Sequence, residues 1–282
     1  MDPQQRLLLE GSFTALHAAG HSRQTLLGGN TGVFAGISGM DFATVLSNFP
    51  TLSVFAATAY SFSVACGRIS YTFGLLGPCI AVDTACSAAL AAWHSGLRAL
   101  QMGECQDEFV GAVNLMLSPF LGTSFAVAGM TSPRGRCHTL DERADGFVRA
   151  EACAGAVLGS HTAAKLQAIN ADGSAVRQDG RSASLTAPSG QAQQALLVAA
   201  MADSGTHADS LACIEAHGTG TALGDPIETR SLAAKILSSQ SVGTWAMSAH
   251  KIALGSVKAK SGHAEPAAGA VGALKLALQL QS

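Results

Sequence analysis

Short apolar runs alternate with segments of helical character along almost the whole chain. The runs that we expect to form strands lie at 31–37, at 79–84, at 108–117, within 145–160, at 211–219 and from 254 onward. The helical segments lie at 3–19, 41–46, 56–71, 85–102, 190–204, 226–237 and in the stretch that ends at 278. Strands that alternate with helices indicate an α/β fold. No linker or low-complexity segment divides the chain.

Turn-forming residues predict two loops and one helix start. Prolines and glycines are spread through 118–133, and the polar, glycine-rich stretch 172–190 is predicted to be a long loop. Asp225 is placed to cap the helix at 226–237, and Pro226 suits its first position.

The composition favours a buried core of small side chains. The 282 residues carry a net charge of −2, and 48% of them are apolar. We therefore expect neither nucleic acid nor an anionic membrane as a partner. No apolar run is long enough to span a bilayer. The first residues do not form a signal-peptide pattern. The spread and odd number of the cysteines favour an intracellular location, most simply the cytoplasm, with an organelle left open.

Seven cysteines are spread along the chain, at positions 66, 79, 86, 105, 137, 153 and 213. No C-x-x-C pair occurs, so we predict neither a metal site nor a redox motif, and the compartment is expected to be reducing. Most of these thiols are expected to lie in the core.

Three candidate residues follow apolar runs at predicted strand ends. Cys86 lies where the strand at 79–84 gives way to a helix, and His217 and His263 follow later apolar runs. Ligand sites of α/β sheets gather beyond the carboxyl ends of strands, which allows the three side chains to meet in one cleft. A helix N-terminus favours a thiolate, so Cys86 is a candidate nucleophile; an inert packing thiol is the alternative.

The two histidines lie in unusual surroundings. His217 belongs to "EAHGTGTALGDPIE", where glycines bring backbone close to a ligand and Thr219 and Thr221 offer hydroxyls; a tight turn with an incidental histidine is the alternative. His263 belongs to "SVKAKSGHAEPAAG", five residues after Lys258. Two imidazole N–H groups aimed at one oxygen would stabilise an enolate, which forms when a malonyl thioester loses carbon dioxide.

These motifs together resemble the ketosynthase domain of modular type I polyketide synthases and, more broadly, the β-ketoacyl synthases. The similar stretches include "DPQQRLLLE", "ACGRISYTFGLLGPCIAVDTACSAAL", "AGMTSPRGRCHTLDERADGFVRAE", "EAHGTGTALGDPIE" and "GSVKAKSGHAEPAAG", in the order of the family. The resemblance implies a thiolase-like α/β fold with five layers, α-β-α-β-α, and two similar halves. We expect one partial ketosynthase domain over 1–282, with Cys86 in a half at about 1–160 and both histidines at about 161–282.

The resemblance also implies a role for each candidate residue. Cys86 would accept the acyl group, His217 and His263 would promote decarboxylation, and Lys258 would support the histidines. Thr219 and Thr221 would contact the 4'-phosphopantetheine arm of an acyl carrier protein, and Phe147 would line the acyl pocket. The residues taken alone leave other roles open: the threonines as caps of a turn, Phe147 as a core residue and Lys258 as a surface charge.

The chain also departs from the family pattern. It begins at a motif that another strand usually precedes, and it ends before a Gly-Phe-Gly-rich loop, so incomplete C-terminal strands are expected. Where the family reads Lys-Ser-Asn-Ile-Gly-His, this chain has Lys260 and Ser261 in place of the asparagine and isoleucine. A charge close to His263 would disfavour its protonated form.

Two hypotheses follow. The first is a β-ketoacyl synthase that joins a Cys86-bound acyl group to a malonyl-type carrier-protein thioester, in polyketide or fatty acid elongation. It would bind no cofactor of its own, and its partners would be an acyl carrier protein, a second copy of itself and other synthase domains. The alternative is a truncated domain, unable to condense, that serves in dimerisation or carrier binding. A degradative thiolase has a second cysteine where this chain has His263, which argues against that class.

Overall fold

The computed structural model describes residues 1–49, 53–159, 169–237 and 252–281. Contacts divide the chain into two units. The first unit comprises Met1–Val127, Arg149–Ile169 and His263–Ser282. The second unit comprises Ala128–Val148 and Asn170–Gly262.

The elements alternate as an α/β chain requires. The strands are β1 (Thr31–Ile37), β2 (Cys79–Val82), β3 (Asp107–Asn114), β4 (Ala152–Gly159), β5 (Cys213–Glu215) and β6 (Ala253–Gly255). The helices are α1 (Pro3–Ala18), α2 (Arg23–Leu26), α3 (Asp41–Ser47), α4 (Ala56–Ala59), α5 (Phe62–Phe73), α6 (Ala88–Met102), α7 (Pro119–Val127), α8 (Gly190–Ser204), α9 (Gly224–Leu232), α10 (Lys258–Ser261) and α11 (Ala268–Leu280). Short 3-10 turns cover Ala85–Ser87, Ala208–Ser210 and Glu265–Ala267, and a π-helical turn, Ala233–Leu237, continues α9. Within the described ranges, no helix is long and apolar enough to cross a membrane.

The first unit is built on a four-stranded sheet with the order β2-β1-β3-β4. β1 runs parallel to β2 and β3, and β4 runs antiparallel to β3. All seven residues of β1 are buried, as expected for a parallel strand that is covered on both faces. The predicted strand at 31–37 is confirmed at both ends.

Alternate residues of β1 enter different cores, because successive side chains of a strand point to opposite faces. Val33 packs in a core with Leu8 of α1 and Ile69 of α5. Phe34, the next residue, packs in a second core with Ala92 of α6. Helices therefore cover both faces of the sheet.

A glycine lets the start of α6 approach β1 very closely. A Cβ atom on Gly36 would lie 2.6 Å from the carbonyl carbon of Ala88, which is well inside van der Waals contact. Only hydrogen fits at position 36 without moving one of the two backbones. The helix that follows Cys86 is thus packed directly against the sheet.

The second unit contains the two-stranded parallel sheet of β5 and β6. Cys213 pairs with Ala253, and Glu215 pairs with Gly255. Its core joins Leu232 and Ile236 to Ala208. The stretch 172–189 has neither helix nor strand, as predicted for a long loop.

The predicted loop at 118–133 was wrong, because α7 occupies much of it. Pro119 is the first residue of this helix, where its fixed φ is already helical and its missing N–H is not needed. The Ser118 hydroxyl accepts the Phe120 N–H at 3.3 Å, which caps the start. Gly129, with φ of 67°, follows the end. Here a proline begins the helix and a glycine follows its end, and neither interrupts it.

Three further expectations need correction. The helical stretch at 56–71 is divided into α4 and α5 by two residues that are not helical. Asp225 is not an N-cap, because α9 begins at Gly224 with Leu223 as its cap residue. Most thiols were expected in the core, but the buried ones are only Cys66, Cys105 and Cys137, and Cys79 and Cys153 are exposed.

Candidate active site

Cys86 and His263 are in contact, although 177 positions separate them in the sequence. Both belong to the first unit. The Cys86 Sγ and His263 Nε2 atoms are 3.1 Å apart, within hydrogen-bond distance. His263 is 1% exposed, whereas Cys86 is partly exposed. A thiol that solvent can reach is therefore held against a buried imidazole, which is the arrangement of an activated cysteine nucleophile.

A strained turn presents the Cys86 thiol. Ala85 has φ of 51°, a left-handed conformation that costs about 1–2 kcal/mol for a residue with a Cβ atom. The Asp83 carboxylate accepts the Ala85 N–H at 3.1 Å, and the Ser87 hydroxyl donates to the Thr84 carbonyl at 2.8 Å. These bonds hold the turn between β2 and α6 and fix the direction of the thiol.

Backbone hydrogen bonds position His263. The Ala150 N–H donates to the His263 carbonyl at 2.9 Å. The Asn114 side-chain amide, at the end of β3, donates to the Ala150 carbonyl at 2.7 Å. The histidine is thereby tied to the same sheet that carries Cys86.

A buried ion pair lies next to His263. The Arg149 guanidinium donates from Nε to Glu265 Oε1 and from Nη2 to Glu265 Oε2, the second bond being 3.4 Å long. The two side chains are 10% and 7% exposed. The Arg149 Cζ atom also lies 5.5 Å from the centre of the Phe125 ring. The ion pair therefore links the same two backbone segments that the hydrogen bond between Ala150 and His263 joins.

In the second unit, Glu228 of α9 holds the His217 loop. Its carboxylate accepts the His217 N–H at 2.6 Å and the Gly218 N–H at 2.8 Å. Gly218 and Gly220 have φ of 45° and 78°. A Cβ atom on Gly220 would also lie 2.6 Å from the His138 nitrogen. Both glycines of this motif are therefore required by the backbone itself.

Asp225, also on α9, fixes the far side of the same loop. Its carboxylate accepts the Gly220 N–H at 3.0 Å and the Leu140 N–H at 2.8 Å. The Thr219 and Thr221 hydroxyls are 3.3 Å apart, and Thr221 Oγ1 accepts the Gly224 N–H at 3.2 Å. The Thr221 hydroxyl thus contributes to the turn, and the contact of both threonines with a phosphopantetheine arm stays a prediction.

Lys258 is 5% exposed, which rules out a simple surface charge. Desolvation first, and then the Lys258 charge, lower the pKa of His217 to about 4. Protein atoms surround much of the His217 ring, but part of the residue reaches solvent, which weakens both effects. Both causes favour the neutral imidazole at pH 7.

The remaining predicted residues have clear locations. Phe147 is 5% exposed in the second unit, and its backbone pairs with Thr131. The Lys260 side chain is exposed. The first unit thus brings Cys86 and His263 together, and the second unit holds the other predicted site residues: His217, Lys258, Thr219, Thr221 and Phe147. The meeting of all three catalytic candidates in one cleft stays a prediction, as does the division near residue 160.

Comparison with known proteins identifies the family of the chain. The family model for the β-ketoacyl synthase N-terminal domain matches residues 1–164, and that for its C-terminal domain matches residues 169–282. The whole chain is 41% identical to a stretch of a phenolphthiocerol/phthiocerol polyketide synthase protein of Mycobacterium tuberculosis, covering 13% of that protein. It is also 41% identical to a stretch of erythronolide synthase EryA3 of Saccharopolyspora erythraea, covering 9% of it.

A solved structure agrees with these relatives. The ketosynthase from module 6 of the bacillaene synthase of Bacillus subtilis 168 superimposes with a TM-score of 0.87 at 34% identity, over 99% of this chain and 47% of that one. The chain therefore belongs to the β-ketoacyl synthase family and has its thiolase-like fold. It spans about an eighth of the first curated relative and about half of the solved ketosynthase.

Proposed function

We propose that the chain is the condensing part of a polyketide synthase and catalyses decarboxylative Claisen condensation. The observation that carries the proposal is the distance of 3.1 Å between Cys86 Sγ and His263 Nε2. Family membership supports the same activity. A binding module without chemistry would not require a partly exposed thiol to be held against a buried imidazole.

In the first step, Cys86 accepts an acyl group. Its sulfur attacks the thioester carbonyl of the incoming acyl group, and the Cys86 proton goes to the carrier thiolate that leaves, with His263 positioned to relay it. The N-terminal end of α6 favours negative charge on the sulfur. The new thioester is ready for attack by a carbon nucleophile.

In the second step, a malonyl-type thioester loses carbon dioxide and becomes an enolate. Imidazole N–H groups of His217 and His263 stabilise the enolate oxygen. A neutral His217 still has one N–H to donate, so its lowered pKa is compatible with this role. The enolate carbon attacks the Cys86 thioester, a carbon–carbon bond forms, and the Cys86 thiolate leaves.

The remaining residues serve binding and charge in this proposal. Lys258 keeps His217 neutral, Thr219 and Thr221 border the site of the phosphopantetheine arm, and Phe147 lines the acyl pocket. The partners are an acyl carrier protein, further synthase domains and a second copy of the chain, in the cytoplasm. Substrates arrive on the carrier, so the chain needs no bound cofactor of its own.

The test is intact-protein mass spectrometry after incubation with an acyl thioester. We expect one added acyl mass on the native chain and on Cys153→Ala, which removes an exposed thiol elsewhere. We expect none on Cys86→Ala. Replacing His217 or His263 should then slow release of carbon dioxide from malonyl carrier protein more than it slows loading. Normal loading of Cys86→Ala would disprove the nucleophile, and a folded native chain that binds carrier without loading would favour the binding-module alternative.

A further inference from the structure

Arg149 is attached at two points to the segment that carries His263. Its backbone forms an isolated β-bridge with the His263 backbone. Its guanidinium reaches Glu265, two residues further on, and donates from Nε to Oε1 and from Nη2 to Oε2. One arginine therefore holds this segment on both sides of Ala264, so the His263 backbone cannot rotate far without breaking a contact.

Glu265 depends on this hold, because its backbone has an unusual conformation. Its φ of 45° is left-handed, in a region that residues with a Cβ atom seldom occupy. Such a backbone persists only where the surrounding structure fixes it. The ion pair supplies that support at the side chain, and with exposures of 10% and 7% its two members are screened little by solvent.

Two residues of α7 hold the guanidinium itself. The Arg149 Cζ atom lies 5.5 Å from the centre of the Phe125 ring, whose face attracts a cation. A Cβ atom on Gly122 would lie 3.2 Å from Arg149 Nη1, so the helix backbone also packs closely against the planar group. The guanidinium is thus packed between α7 and Glu265, and its fixed position determines where the Glu265 carboxylate lies.

The turn that carries Cys86 has contacts of its own. The Asp83 carboxylate accepts the Ala85 N–H at 3.1 Å, which fixes the thiol from the side of the sheet. The distance of 3.1 Å between Cys86 Sγ and His263 Nε2 therefore also requires the histidine to be held from its own side. Hydrogen bonds weaken steeply as they bend, so a modest rotation of the imidazole would be enough to lose this contact.

We propose that Arg149 is a positioning residue for the imidazole of His263. Through Glu265, it holds the histidine Nε2 atom where it meets the Cys86 sulfur. Arg149 acts through these residues and takes no chemical step itself. Its effect on condensation rests on the proposed function, but its effect on the contact between thiol and imidazole can be measured whether or not the chain condenses substrates.

The test measures how the rate of Cys86 alkylation by iodoacetamide depends on pH. Digestion with trypsin and Asp-N places Cys86 in the peptide 83–98, which contains no other cysteine, so its alkylation can be followed by mass spectrometry. The double variant Arg149→Met/Glu265→Gln removes both members of the ion pair. It leaves no buried charge without a partner, so it is expected to fold.

In the native chain the imidazole can take the thiol proton, so Cys86 should react at similar rates at pH 7 and pH 9.5. In the double variant we expect the rate at pH 7 to fall about tenfold and the rate at pH 9.5 to stay the same, because an unassisted thiol ionises at about pH 8.5. The matched control, Arg6→Met/Glu10→Gln, removes an exposed ion pair of α1 and should keep the native profile.

Two results would overturn the proposal. One is a folded double variant with the native profile, and the other is an equal fall at both pH values, which indicates altered access to the thiol. If the double variant does not fold, Glu265→Gln alone decides, because it weakens the ion pair and should lower the rate at pH 7 only. Acyl loading of the native chain is measured in parallel: its absence would refute the proposed function, while the alkylation profiles would still decide the role of Arg149.

Discussion

Arg149 and Glu265 form an ion pair that solvent hardly reaches, and the glutamate lies two residues after His263. Glu265 also has φ of 45°, so the backbone beside the histidine is held in a conformation that a free chain seldom adopts. The pair therefore does two things at once. It neutralises two buried charges, and it fixes the turn from which the imidazole meets Cys86.

Loss of Arg149 should destabilise the first unit strongly. Arg149→Ala leaves the Glu265 carboxylate buried without its partner, which typically costs about 3–5 kcal/mol. The free energy of unfolding in urea measures this loss. The matched control is Arg6→Ala, which breaks the exposed pair with Glu10 and should cost about 0–1 kcal/mol. Equal effects of the two variants would show that burial of the Arg149 pair is unimportant.

Glu108 should make stability depend on pH. It is 0% exposed on β3, and neither carboxylate oxygen has a hydrogen-bond partner among the described residues. Burial raises its pKa from 4.5 to about 8. The unfolded chain releases the proton near the lower value and the folded chain retains it, so the free energy of unfolding falls as the pH rises through this window.

The measurement is urea unfolding of the native chain and of Glu108→Gln between pH 5 and pH 8. We expect the native chain to lose a few kcal/mol over this range and the variant to lose much less. Glu104→Gln, an exposed neighbour, should follow the native chain. A native chain whose stability is constant over this range would contradict the raised pKa.

Alanine at Gly220 should disrupt the His217 loop. The substitution combines a left-handed φ with a Cβ atom that would lie 2.6 Å from the His138 nitrogen. Gly205→Ala provides the control, because Gly205 has φ of 63° and open space around the new Cβ atom. Thermal unfolding should show a loss of about 1–2 kcal/mol for Gly205→Ala and a larger loss for Gly220→Ala. Similar losses would mean that the loop can move to make room.

Removal of Lys258 should raise the pKa of His217. The Lys258 charge disfavours the imidazolium, so Lys258→Met should make His217 easier to protonate. NMR titration of the His217 ring measures the pKa directly. Lys260→Met, at an exposed lysine two residues on, should leave the titration unchanged. A downward shift in Lys258→Met would refute the assigned cause.

The sequence predicts most of the elements but few of the contacts that hold the site. The run at 31–37 is recognisable because it is apolar throughout and is covered on both faces. The α7 helix was missed because Pro119 was interpreted as a loop residue. At the first position of a helix, however, proline is favourable. Local signals of this kind are ambiguous until the neighbouring elements are known.

Contacts between residues far apart in the sequence could not be predicted from local sequence patterns. Arg149 and Glu265 are 116 positions apart, so nothing near either residue reveals the other. The proline after Asp225 suggests a cap, yet the Asp225 carboxylate binds the N–H of Leu140, 85 positions away. The signal that was available for Glu265 is an acidic residue inside an otherwise apolar stretch after His263.

The position of the turn that carries Cys86 depends on the glycine at position 36. Gly36 has no side chain, but it sets how far the first turn of α6 stands from the sheet. Since Cys86 lies on the turn just before that helix, we expect a single added methyl group at position 36 to move the thiol relative to the His263 imidazole. We expect a protein with that change to retain its strands and helices but to lose the close approach of Cys86 to His263, so the alignment of these two side chains depends on a residue that has no side chain.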